Sequence, residues 1–177
     1  MLSFQSLSYG GSTYTANVDG RGYYAGPFDV SLNGGSSFQT FCADLNDETV
    51  FNSPTSVLLR DTLTMGSNYQ LAAQLYNQYD PTVGSDLTKN AGLQVAIWQA
   101  LNPSISVSDF WQSGVTAAAQ ADFAGLLSTT SKEATFYDFG GHNQGQIGKA
   151  TQAVPEPTSI AALGLGVLGF IRKRRLK

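Results

Sequence analysis

The sequence predicts an α+β fold: a β-sandwich or barrel built from both ends of the chain, with a helical insertion between residues 56 and 128 and a short hydrophobic helix at the C-terminus. Three observations predict it. Strand-like stretches with turn signals fill the first 45 residues and return at Ala134–Phe139. The middle of the chain instead repeats apolar residues at three- and four-residue spacing, as helices do. Charged residues make up only 13% of the chain, against about 25% in an average soluble protein. Gly, Ser, Thr, Asn and Gln take their place, a balance common in exported β-rich proteins.

The elements follow in order. Thr13–Val18 and Phe28–Leu32 read as strands, and Asn33-Gly34-Gly35 is a hairpin turn signal. Ser37–Leu45 reads as the next strand. Alternation sends Phe38, Thr40, Cys42 and Asp44 to one face and Phe41, Ala43 and Leu45 to the other. Asn68–Tyr79 then spaces Leu71, Leu75 and Tyr79 by four, with Ser67 as N-cap and Asp80-Pro81 as the stop. Ser85 caps a second helix, Asp86–Leu101, which Asn102-Pro103 ends. A third helix is expected near Gly114–Leu127. The chain divides into an α+β domain at 1–142, a polar Gly/Gln-rich linker at 143–154 and a tail at 155–177.

Charge narrows the partners. Five of the ten basic residues (Arg172, Lys173, Arg174, Arg175 and Lys177) crowd into the last six positions. Without them the body has five basic against thirteen acidic side chains, a net −8. Such a body repels phosphate backbones, so no nucleic-acid partner is expected. Cys42 is the only cysteine, which excludes an intramolecular disulfide. One Cys and one His make zinc very unfavourable. Asp44, Asn46 and Glu48 alternate like the start of a calcium loop, but Thr49 and Thr55 stand where its glycine and closing acid belong. Neither a metal nor a cofactor is therefore expected. Tyr23 and Tyr24 suit a sugar-binding surface and core packing equally.

The second helix holds an anomaly. Leu87, Ala91, Gln94, Ile97, Trp98 and Leu101 share one face, and Gln94 places a primary amide in its middle. A buried amide without partners costs a few kcal/mol, so it must be hydrogen-bonded or chemically used. Cys42 is the only soft nucleophile, and its flanks are apolar. A thiolate held against an amide can expel ammonia and leave a thioester, given an oriented approach and an oxyanion donor.

Phe41-Cys42-Ala43 and Leu93-Gln94-Val95-Ala96-Ile97-Trp98 resemble the two signatures of bacterial thioester domains, over roughly residues 28–101. The resemblance implies a β-domain with a helical subdomain and a Cys42–Gln94 thioester between them. It also implies a single-use acylation rather than an enzyme. An amine on a partner, or a small polyamine, attacks the Gln94 carbonyl and Cys42 leaves as a thiol. Phe41, Ile97 and Trp98 are expected to shield the bond from water. Known members are tip domains of Gram-positive adhesins, from which this chain departs in its tail.

That tail reads Pro155-Glu156-Pro157, a 12-residue apolar run Ile160–Ile171, and a basic end. The run is short against the roughly 20 residues of a transmembrane helix. The basic end orients it with the C-terminus inside. The prolines keep the preceding backbone extended, which suits a protease cleft. This three-part order resembles the PEP-CTERM sorting signal. The resemblance implies exosortase processing near Pro155–Pro157 in a Gram-negative bacterium that makes exopolysaccharide. The expected route is transient anchoring in the inner membrane, then the cell envelope, outer surface or biofilm matrix. Met1–Gly11 has neither a basic start nor an apolar run, so no secretory leader is visible. A start placed too late, or a fragment, reconciles this with export; a cytosolic protein is the other reading.

Two further functions stay open. One is a non-covalent surface or matrix module in which no thioester forms. The other is a cysteine hydrolase or transglutaminase using Cys42, His142 and Asp138, although Gly140-Gly141-His142-Asn143 reads as an exposed loop.

Overall fold

The computed structural model describes residues 2–4, 15–33, 35–47, 54–110, 113–141 and 144–149. Among the described residues ten strands appear: β1 (Leu2–Phe4), β2 (Thr15–Val18), β3 (Arg21–Tyr24), β4 (Phe28–Leu32), β5 (Ser37–Cys42), β6 (Pro54–Thr55), β7 (Leu58–Asp61), β8 (Val107–Asp109), β9 (Thr135–Asp138) and β10 (Gln146–Gly148). Three α-helices accompany them: α1 (Ser67–Val83), α2 (Leu87–Leu101) and α3 (Val115–Ala124).

The α+β mixture is as expected, but the described strands close no barrel. They form a seven-stranded sheet in the order β6-β1-β4-β5-β10-β9-β7 and a separate three-stranded sheet, β3-β2-β8. The large sheet is antiparallel at every pairing. Its centre joins both halves of the chain, since β10 lies between β5 and β9. Residues 146–148, inside the expected linker, are therefore a central strand, and all three are buried.

Several boundaries move for physical reasons. The first helix does not stop at Asp80-Pro81; it continues to Val83, whose side chain is buried. A proline in the last turn forfeits one backbone hydrogen bond, and burial of the Val83 side chain offsets part of the loss. Its cap residue is Gly66 rather than Ser67, which lies within the first turn. Asp86, not Ser85, caps α2: its carboxylate accepts from the Lys89 N–H at 3.1 Å. A hairpin signal passed over in the sequence, Asp19-Gly20, joins β2 to β3. Both residues have positive φ (49° and 84°), as the two-residue primed turn requires.

The helix α2 is the axis of the core. Residues 90 to 98 are buried without interruption, wider than the single face expected. It packs against both other helices and against β5. The approach to α3 is close enough that a Cβ on Gly92 would sit 2.5 Å from the Ala118 Cβ, so only glycine fits there. No described helix is long and apolar enough to cross a membrane, and the expected sorting helix lies outside the described residues.

Candidate functional site

The site begins where two strands stop sharing an edge. β4 pairs with β5 from Ser31↔Ser37 to Phe28↔Thr40 and goes no further. On the other side β10 continues, with Gln146 opposite Cys42 and Ile147 opposite Phe41. The Ala43 N–H donates to the Gly145 carbonyl at 2.8 Å. Antiparallel ladders alternate, so Cys42–Gln146 is a non-hydrogen-bonded pair. The N–H and C=O of Cys42 therefore point away from β10, towards the edge that β4 has left.

Gln94 occupies that edge. The Cys42 N–H donates to Gln94 Oε1 at 2.9 Å, and Gln94 Nε2 donates to the Cys42 carbonyl at 2.7 Å. The carboxamide thus stands in for a missing strand, pairing both polar groups of one residue. Gln94 is fully buried and Cys42 is 1% exposed, so unpaired groups here would cost about 1–3 kcal/mol each. The structure brings Cys42 and Gln94 together, 52 positions apart in sequence, through the cysteine's main chain.

The side chain of Cys42 faces a different partner. In the strand register Cys42, Gln146 and Tyr137 form one row on one face, with Thr40 diagonal to Gln146. Facing residues in such pairs have Cβ atoms about 4.5–5.5 Å apart. Gln146 is fully buried. Its Oε1 accepts from the Thr40 hydroxyl at 3.2 Å, and its Nε2 donates to the Gln144 carbonyl at 3.3 Å. The Cys42 thiol donates to the Asp44 carbonyl at 2.8 Å, which also accepts from Gln144 Nε2. Thiol and second amide belong to one polar network. Gln146 was missed in the sequence because its Gly/Gln-rich surroundings carry no apolar alternation; its spacing two residues from Gln144 was the only cue.

Burial dominates the electrostatics. Desolvation pushes the Cys42 thiol up to about 12, against opposing pulls from the Trp98 side chain and the Asp44 backbone and a small further rise from the Asp44 charge. Ile97 and Trp98 are buried. Phe41 is fully buried too, but alternation sends it to the opposite face from the sulfur. There its ring meets Tyr76 edge-on at 6.2 Å. It backs the strand rather than covering the thiol. Tyr23 packs edge-on to Trp98 at 6.1 Å.

The remaining expectations fall elsewhere. Asp138 lies next to Tyr137 in β9 and so faces away from Cys42, and it pairs with Arg60 at 2.8 Å. His142, Glu48, Pro155–Pro157 and Arg172–Arg175 lie outside the described residues. Among the described residues no group of His, Cys, Asp and Glu could hold a metal. Asp44 instead makes a local turn, its carboxylate accepting from the Asn46 N–H at 2.8 Å.

Comparison with known proteins speaks to the tail. Residues 153–175 match the PEP-CTERM protein-sorting motif. No curated protein and no solved structure matches the chain. The PEP-CTERM motif marks an exported, surface-associated protein processed by exosortase. It says nothing of the body.

Proposed function

We propose that this exported protein is a covalent coupling module, in which Cys42 and a buried glutamine form a thioester that an amine on a surface or matrix partner later opens. The observation that carries the reading is that the only cysteine is flanked by two fully buried glutamines, one on its main chain and one facing its side chain. The geometry favours Gln146 as the acyl donor and Gln94 as the residue that fixes Cys42. Gln146 shares a face with the sulfur, whereas the Gln94 amide lies on the strand edge.

The chemistry balances without a cofactor. The Cys42 sulfur attacks Cδ of Gln146, and Oε1 becomes an oxyanion with the Thr40 hydroxyl already on it. The C–N bond breaks, the thiol proton ends on Nε2, and ammonia leaves. In the second step an amine attacks the same carbon. The C–S bond breaks, a substituted amide forms, and the amine's proton returns to the sulfur. Exclusion of water from this core protects the thioester between the two steps. A thiol raised to about 12 makes the first step slow, which suits a bond formed once per molecule. The basic end and apolar run would hold the chain in the inner membrane until exosortase cuts near Pro155–Pro157, and an exopolysaccharide-rich matrix is the setting in which a permanent link is useful.

One observation favours a second reading. All polar atoms of Gln94 and Gln146 have partners, as a purely structural network requires, and a non-covalent surface module needs nothing more. Intact mass of the chain lacking residues 155–177 separates the two. Coupling predicts a deficit of one ammonia that vanishes in Cys42→Ala. A full mass with one titratable thiol supports the non-covalent module and rejects the thioester.

A further inference from the structure

We infer that the Trp98 indole N–H is the donor reserved for the Cys42 sulfur when that sulfur carries negative charge. Among the described residues Trp98 Nε1 is one of four buried side-chain polar atoms without a hydrogen-bond partner, while the glutamines and threonine around Cys42 are all paired. Trp98 is 2% exposed, so water does not reach the N–H either. An indole N–H left unpaired in a core costs about 1–3 kcal/mol, and a tryptophan usually finds an acceptor when buried.

Its position supplies the acceptor. Trp98 lies one turn beyond Gln94 on α2, and helical residues four apart share a face. Gln94 is fixed to the Cys42 main chain by two bonds, so the next turn of the same face is delivered to the cysteine. Tyr23 holds the indole by its edge. The direction of the effect agrees: the Trp98 side chain eases ionisation of the thiol, opposing desolvation. A neutral thiol sulfur is a weak acceptor and leaves the N–H unsatisfied; a thiolate is a strong one. The donor is therefore idle in the resting protein and engaged when sulfur departs from, or attacks, a carbonyl carbon. Asp44, in the loop after β5, is the charge that opposes it. The purpose assigned here rests on the proposed thioester, but the donor–sulfur relation does not.

The test keeps the two apart. Protein pretreated with methylamine has a free Cys42 thiol whether or not a thioester had formed. In that protein Trp98 is replaced by benzothienylalanine, which keeps the bicyclic shape and lacks the N–H, and, in parallel, by Trp98→Phe. The rate of Cys42 methanethiolation by a small thiosulfonate is followed at one mildly alkaline pH, and across pH. Loss of the donor lowers the thiolate fraction, and the benzothienylalanine protein reacts about tenfold more slowly. A merely structural role moves the rate the other way, because a loosened core exposes the thiol. An unchanged or faster reaction in the benzothienylalanine protein overturns the inference. Should Trp98→Phe fail to fold, the isosteric protein decides alone.

Discussion

The strand end at Cys42 and the helical layer at α3 bury polar groups on different terms. Around Cys42, two glutamines and a threonine interlock with main-chain groups, and each amide has both ends engaged. Against α3, Asp122 is half-buried with one carboxylate oxygen unpartnered, and its pKa rises to about 6 because desolvation outweighs nearby Lys89. Asp80, on α1, is likewise raised by burial and has an unpartnered oxygen. The helical layer tolerates poorly satisfied acids, whereas among the described residues around Cys42 the unpartnered buried side-chain atom is the Trp98 indole nitrogen. Saturation fixes geometry, and the proposed coupling would need fixed geometry at this strand end.

The contrast can be broken most severely at Gln94. Gln94→Ala leaves the Cys42 N–H and C=O unpaired and opens a cavity, and urea unfolding should show a loss of about 3–5 kcal/mol. Next is the alkaline limb. The folded thiol keeps its proton to about 12, while the unfolded one releases it near 9.0. The stabilisation is whole below 9.0 and is lost as pH rises towards about 12, by up to about 1.4 kcal/mol per pH unit. A chain whose sulfur is tied in a thioester lacks this loss, and so does Cys42→Ser treated as a reference.

Smaller effects belong to the helical layer. Gly92→Ala forces a methyl against Ala118, and chemical denaturation should show a loss of about 1–3 kcal/mol. Asp122 has a folded pKa above the unfolded one. Its contribution is present in acid below the ordinary carboxylate value and disappears as pH rises through about 6. Asp122→Asn should therefore gain up to about 1 kcal/mol at neutral pH, discounted for its partial exposure, and nothing at the acid end. A thermal melt at the two pH values checks the sign. Arg60→Ala removes an exposed pair with Asp138 and should cost less than about 1 kcal/mol.

Much of this was legible in residues that signal strongly. Apolar spacing and the Asn102-Pro103 stop marked α2 to within a residue, and the conflict between Gln94 and its apolar face pointed to a partner. The identity of that partner's atoms was not legible, because it depends on β4 ending two residues before Cys42's position on the ladder. β10 escaped for a different reason. Three residues between Gly145 and Lys149 carry no periodicity, and the amide of buried Gln146 is satisfied by hydrogen bonds. β7 escaped because all four of its residues are exposed at the sheet edge. The chain's tail, by contrast, is read from composition alone, since its three-part order needs no tertiary context.

Peptide mapping after methylamine treatment tests the central claim most directly. The coupling account predicts one methylamide, on Gln146, together with release of one thiol at Cys42, and neither in Cys42→Ala. A methylamide on Gln94 would reverse the roles given to the two glutamines. An unlabelled chain with its thiol free from the outset would contradict the covalent account altogether.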